Sequence, residues 1–120
     1  MDTVTSLTAI NGYLVSGSKD KNLRLWALDG NSASNKCTSH AFNDYVNAVY
    51  SDPYLPIFYS ASRDGQVKAA RVGLPEEKIK FVGGIIAHTQ SVNDICMMGE
   101  GGQGLIGTAS SDRTVKVWKP

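Results

Sequence analysis

Cysteine is almost missing from this 120-residue chain. Cys37 and Cys96 are the only two, far apart and outside any metal-ligand spacing. That excludes a disulfide framework or a zinc site and predicts a reducing, cytoplasmic setting. An excess of one charge is missing too. Twelve basic and eleven acidic residues leave a formal net charge of +1. Neither nucleic acid nor an anionic membrane is therefore implied as an obligate partner. Long apolar runs are also absent, and a stretch such as Phe81–Ala87 falls far short of the about 20 residues that span a bilayer. No basic segment followed by an apolar run opens the chain, so no signal peptide is expected. The chain has no G-x-x-x-x-G-K-[ST] loop, HExxH or CxxC. Phosphate-binding and zinc chemistry then have no anchor, and no cofactor or metal is expected.

What is present can build a core: 42% of residues are hydrophobic and 19% charged. The chain also repeats itself. Leu14–Trp26, Phe58–Ala70 and Ile106–Trp118 align, each with a small or hydroxyl-rich strand end, a turn Asp and an alternating strand. The turn residues Asp20, Asp64 and Asp112 stand 44 and 48 residues apart. The two histidines, His40 and His88, are also 48 apart, and each precedes the next of these Asp residues by 24. Upstream, Val4–Leu7, Val46–Val49 and Val92–Ile95 repeat a third marker.

The local pattern is all strand. Leu23/Leu25, Val67/Ala69 and Val115/Val117 alternate with Arg24, Lys68 and Lys116, the period of a pleated chain. Turn residues such as Asn11-Gly12 and Asp64-Gly65 separate the runs. Strands are predicted near 3–9, 12–18, 22–27, 36–39, 45–50, 56–62, 66–71, 79–87, 91–97, 104–110 and 114–119. Leu74–Lys80 reads as a loop entering a strand, too short for a stable helix.

A repeat of this length, with four strands and a small-x-small-x-Asp turn before a Trp, resembles the WD40 repeat. The resemblance covers nearly the whole chain. It implies blades of an antiparallel β-propeller near residues 1–39, 40–87 and 88–120, the last without its outer strand. It also implies a hydrogen-bonded set in each blade. The third repeat matches all four members: His88, Thr108, Asp112 and Trp118. The first matches Ser16, Asp20 and Trp26. The second matches His40, Ser60 and Asp64, with Ala70 where Trp is expected, which should loosen that blade locally. The family's Gly before the His is replaced by Ser39 and Ala87, and its Asp after the Trp by Ala27 or Lys119.

Carried over position by position, the rim of one face holds Thr3, Thr5, Lys19, Tyr45, Asn47, Arg63, Ser91, Asn93 and Ser111. The two cations and Tyr45 would suit an acidic or phosphorylated peptide. The competing reading makes Lys19 and Arg63 ordinary solvated loop residues.

Two enzymatic readings compete less well. His88, Thr108 and Asp112 look like a nucleophile–base–orienter triad, but a constellation that recurs repeat by repeat argues for structure. Gly99–Gly104 matches G-x-G-x-x-G, yet the run that follows, Leu105–Ser110, reads as strand rather than helix. Cys37 and Cys96 read as small buried hydrophobes. The expectation is a non-catalytic protein-interaction scaffold. Eleven strands where three full blades need twelve suggest a ring completed by further blades in cis or by a second copy in trans. A self-assembling structural module is the remaining class. The short first hairpin and the Trp-Lys-Pro end resemble propellers of ubiquitin-ligase adaptors and of kinesin-type motor tails alike.

Overall fold

The computed structural model describes residues 3–52, 55–98 and 105–119. No helix occurs among them. Eleven strands form three antiparallel sheets. The first holds β1 (Val4–Ile10), β2 (Tyr13–Ser18), β3 (Asn22–Asp29) and β4 (Ser32–His40) in that order. The second holds β5 (Val46–Ser51), β6 (Phe58–Ser62), β7 (Gln66–Gly73) and β8 (Lys78–Ile86). The third holds β9 (Val92–Met98), β10 (Leu105–Ser110) and β11 (Val115–Trp118), with no fourth strand among the described residues. The predicted all-β architecture of two four-stranded sheets and one three-stranded sheet is therefore what the chain forms.

Local chemistry sets each hairpin. Asn11 and Gly12 both take positive φ, the geometry of a two-residue turn that matches strand twist. Each β2–β3 type connection is a turn closed by Lys21 N to Ser18 O, Gly65 N to Ser62 O or Arg113 N to Ser110 O. The residue after each turn Asp again has positive φ: Lys21, Gly65 and Arg113. Glycine is required at the middle one. A Cβ on Gly65 would lie 2.1 Å from the His88 carbonyl oxygen. Leu74–Glu77 forms a turn before β8, in line with the loop expected there.

Strand β4 is longer than predicted. Its first residues, Ser32–Lys36, are all exposed and polar or small, so no apolar alternation marks them.

The sheets stack face to face, and the core lies in the two seams. Val15, Leu23, Leu25, Phe42, Val46, Phe58 and Ile79 fill the first seam. Ala48, Tyr59, Val67, Val92, Ile95 and Ile106 fill the second, with Trp118 against them. Strand β6 contributes to both, and all five of its residues are buried. A sheet covered on both faces carries apolar or small residues at successive positions, and the buried hydroxyls of Ser60 and Ser62 are both hydrogen-bonded. Gly17 keeps the first seam tight, because a Cβ there would lie 2.5 Å from Val46 Cγ1.

Candidate functional site: a repeated turn and its rim

The same turn is built three times. Ser18, Ser62 and Ser110 accept the backbone N–H of Asp20, Asp64 and Asp112 at 3.2, 3.2 and 3.1 Å. Each Asp Oδ1 then accepts the N–H two residues on, from Asn22, Gln66 or Thr114. These Asp-centred bonds replace the ladder where the chain reverses. Sequence reasoning singled out the Asp residues but missed the three serines. Their signal was the recurring Ser-x-Asp.

The remaining Asp oxygen differs from sheet to sheet. In the third, Asp112 Oδ2 lies 2.8 Å from His88 Nδ1. His88 Nε2 lies 2.8 Å from Thr108 Oγ1, and Trp118 Nε1 donates to that same oxygen at 3.1 Å. A ring protonated at Nδ1 satisfies these three contacts. It donates to Asp112 and accepts from the Thr108 hydroxyl, whose oxygen accepts from Trp118. The Asp112 carboxyl is lowered to about 2, first by the Thr114 hydroxyl; burial opposes this, and the hydrogen bonds from His88 and the Thr114 N–H add to the lowering.

In the first sheet Trp26 Nε1 donates to Ser16 Oγ at 2.9 Å. Arg24, itself buried, makes a two-pronged pair with Asp20 at 3.2 and 2.6 Å. That guanidinium is the main cause of the Asp20 carboxyl lying at about 2. Arg24 was unmarked in the sequence beyond its place in the strand alternation. Its counterparts by register, Lys68 and Lys116, donate instead to the carbonyls of Ala41 and Ala87.

The second sheet departs from the sequence expectation. His40 is exposed at the end of β4 and makes no side-chain hydrogen bond among the described residues. Phe42 takes the place of His88. The backbone N–H groups of Ala41 and Phe42 bond Lys21 O, just as those of Ala87 and His88 bond Gly65 O. Asp64 Oδ2 accepts the Asn43 N–H instead of an imidazole. Ser60 Oγ donates only across the strand, to Lys68 O at 3.3 Å. The expected loosening at Ala70 is replaced by an apolar filling, because Ala70 is fully buried in one cluster with Phe42 and Phe58.

The rim residues also come in backbone pairs. Lys19 N bonds Thr3 O, Arg63 N bonds Tyr45 O, and Ser111 N bonds Ser91 O, all near 3.0 Å. Their side chains then separate into two groups. Thr5 donates to Val46 O, and Asn47 Nδ2 donates to Val92 O at 2.9 Å and Ser91 Oγ at 2.8 Å. Ser91 continues to Asn93, and Asn93 to Ser111. These polar residues brace neighbouring sheets. Lys19, Tyr45 and Arg63 form the second group. Arg63 sits 4.3 Å and Lys19 Nζ 5.5 Å from the Tyr45 ring centroid. Arg63, with its side chain 53% exposed, also meets Asp44 at 3.2 Å.

Gly99–Gly104 lies outside the described residues. Both cysteines are free, but only Cys37 is partly buried; Cys96 is exposed, because it lies on the uncovered face of β9.

Three stacked four-stranded-type sheets, each with an Asp turn and two with a Trp bonded to a hydroxyl, define an arc of a β-propeller. The chain matches the family "WD domain, G-beta repeat" over residues 2–27, 32–69 and 79–119, and it belongs to the WD40 family. Among curated proteins it is 29% identical to "Kinesin-like protein klp-12" of Caenorhabditis elegans and 32% identical to human "Kinesin-like protein KIF21B". Each match covers 98% of this chain but 7% of the relative's length. A chain of the "Crystal Structure of Mitotic Checkpoint Complex" superposes with a TM-score of 0.80 at 19% identity, over 97% of this chain and 37% of that one.

Proposed function

We propose that this chain is a non-catalytic interaction scaffold whose seam between the first two blades binds an acidic or phosphorylated peptide. The observation that carries the reading is the convergence of Lys19 and Arg63 on one aromatic face, Tyr45. Asp44 balances part of the Arg63 charge, whereas Lys19 has no ion-pair partner among the described residues. A phosphate or carboxylate could therefore engage one point charge and one planar fork, with Tyr45 as a stiff contact surface.

Burial weighs against the hydrolase reading. Thr108 is 1% and His88 2% exposed, so no substrate reaches the hydroxyl. Its oxygen is already occupied by Trp118 and its proton by His88.

The same proposal makes the chain part of a larger propeller and places it in the cytoplasm. Val115 on the outward face of the third blade is 74% exposed, and Leu7 on that of the first is 59% exposed. Apolar faces of this kind call for cover from further blades or a second copy. The two free thiols suit a reducing compartment.

Calorimetric titration with a phosphoserine peptide flanked by glutamates tests the site. Arg63→Glu and Lys19→Glu should each weaken binding at least tenfold. Unchanged affinity in both would remove the reading.

A further inference from the structure

The loop before β5 carries a carboxylate that the loop before β9 lacks. Two residues ahead of Val46 stands Asp44, and two ahead of Val92 stands Gln90. The next position changes with it, Tyr45 against Ser91. So does the backbone partner of that position, Arg63 against Ser111. Acid, aromatic and guanidinium thus occur together at one seam and are replaced together at the other.

Asp44 is bonded to both of its companions. Its Oδ1 accepts the Tyr45 N–H at 2.8 Å, and Arg63 Nε lies 3.2 Å from the carboxylate. Nε is the one side-chain nitrogen of Arg63 with a hydrogen bond among the described residues, so Nη1 and Nη2 stay open. With the guanidinium held 4.3 Å from the Tyr45 centroid, that open end is an oriented two-pronged donor. Asp64, next in the chain, turns instead to the N–H groups of Asn43 and Gln66.

A charge balance follows. Lys19 and Arg63 bring two positive charges to the ring, and Asp44 offsets one of them. An anion on Nη1 and Nη2 shares one planar group with Asp44, nearer to it than the screening length of about 8 Å at physiological salt. Its repulsion by Asp44 grows with its own charge, so a phosphate dianion is repelled about twice as strongly as a carboxylate. One carboxylate matches the single net charge left. A dianion leaves a negative charge that is stripped of water without a partner.

We propose that the site takes the singly charged carboxylate of a glutamate or aspartate side chain, and that Asp44 is the residue that selects it over a phosphate dianion. Discrimination of this kind rests on a repulsive element as much as on an attractive one. The proposal rests on the reading of Lys19, Tyr45 and Arg63 as a binding site.

Two capped peptides with uncharged flanks test it, one with glutamate and one with phosphoserine at the same position. NMR titration of the full chain reads weak affinities, and at about pH 8 the phosphate carries two charges. The wild type should bind the glutamate peptide at least as tightly as the phosphoserine peptide. Asp44→Asn keeps an oxygen for the Tyr45 N–H. It should raise glutamate affinity about threefold and phosphoserine affinity about tenfold, reversing the order. Asp44→Glu retains the charge and should retain the wild-type order. The wild-type ratio keeps the test valid if either variant misfolds.

Phosphoserine bound more than threefold tighter by the wild type overturns the proposal. So does an equal ratio in wild type and Asp44→Asn. A weaker glutamate complex in Asp44→Asn does the same, and makes Asp44 a support for Arg63 rather than a selector. In each of these cases, loss of both complexes in Arg63→Glu leaves the binding site itself standing. No shift at Tyr45 or Arg63 with either peptide removes site and selector together.

Discussion

At one backbone position the third blade carries His88 and the second carries Phe42. Around His88 the partners are polar: Asp112, Thr108 and the Trp118 indole. Around Phe42 they are Phe58 and Ala70, in the same core cluster, with the Lys68 ammonium 5.1 Å from the ring centroid. The turn Asp survives in both, because its Oδ1 and its own N–H serve the turn itself. The backbone frame is thus specified by the Ser-x-Asp turn, and the chemistry above it can change as a set. Exchanging one member of the set alone strands the others.

That contrast can be broken at its heaviest member first. Phe58→Ala should cost about 3–5 kcal/mol, because Ala70 opposite cannot fill the cavity. Urea unfolding should show a lower midpoint with an unchanged slope. His88→Ala should cost about 2–3 kcal/mol, since it strips partners from a buried hydroxyl and from Asp112. A loss as large as that of Phe58→Ala would mean that packing, not hydrogen bonding, makes up His88's share.

A matched pair sharpens the comparison. Thr108→Val should cost about 1–2 kcal/mol, whereas Ser60→Ala should cost under about 1 kcal/mol, because the Ser60 hydroxyl makes only one cross-strand bond. Equal losses would erase the distinction between the two blades.

Acid provides the gentlest probe. Asp112 and Asp20 titrate at about 2 in the folded chain, below the ordinary 3.8. Groups with lowered folded pKa values stabilise above the unfolded value, and that contribution is lost as pH falls through about 2. The thermal midpoint should therefore fall between about pH 4 and pH 2. Asp112→Asn and Asp20→Asn should each flatten that fall, and an unchanged profile in both would count against the assignment.

The sequence shows much of this and hides three features. Eleven strands, their order and the three-strand end are legible because turn residues and period-two alternation agree along the chain. Ser32–Lys36 is hidden because an exposed outer strand has no apolar face to reveal it. His40 misleads for a countable reason. From Val46 to Asp64 is 18 residues, but from Val92 to Asp112 is 20, so the first hairpin of the third blade is two residues longer. Counting back 24 from Asp64 therefore overshoots by two. Counting back four from Val46, as from Val92 to His88, reaches Phe42. The Arg24–Asp20 pair was hidden because any alternating strand can carry a surface cation.

The two seams are pinned differently. Thr5 to Val46 O, Thr8 to Ser51 and Tyr13 to Glu77 tie the first at three points along its length. In the second, the side-chain ties between neighbouring strands among the described residues gather at Asn47, at one end. The first seam is thus keyed by directional bonds along its length, whereas the second relies on its apolar packing away from the end where Asn47 sits.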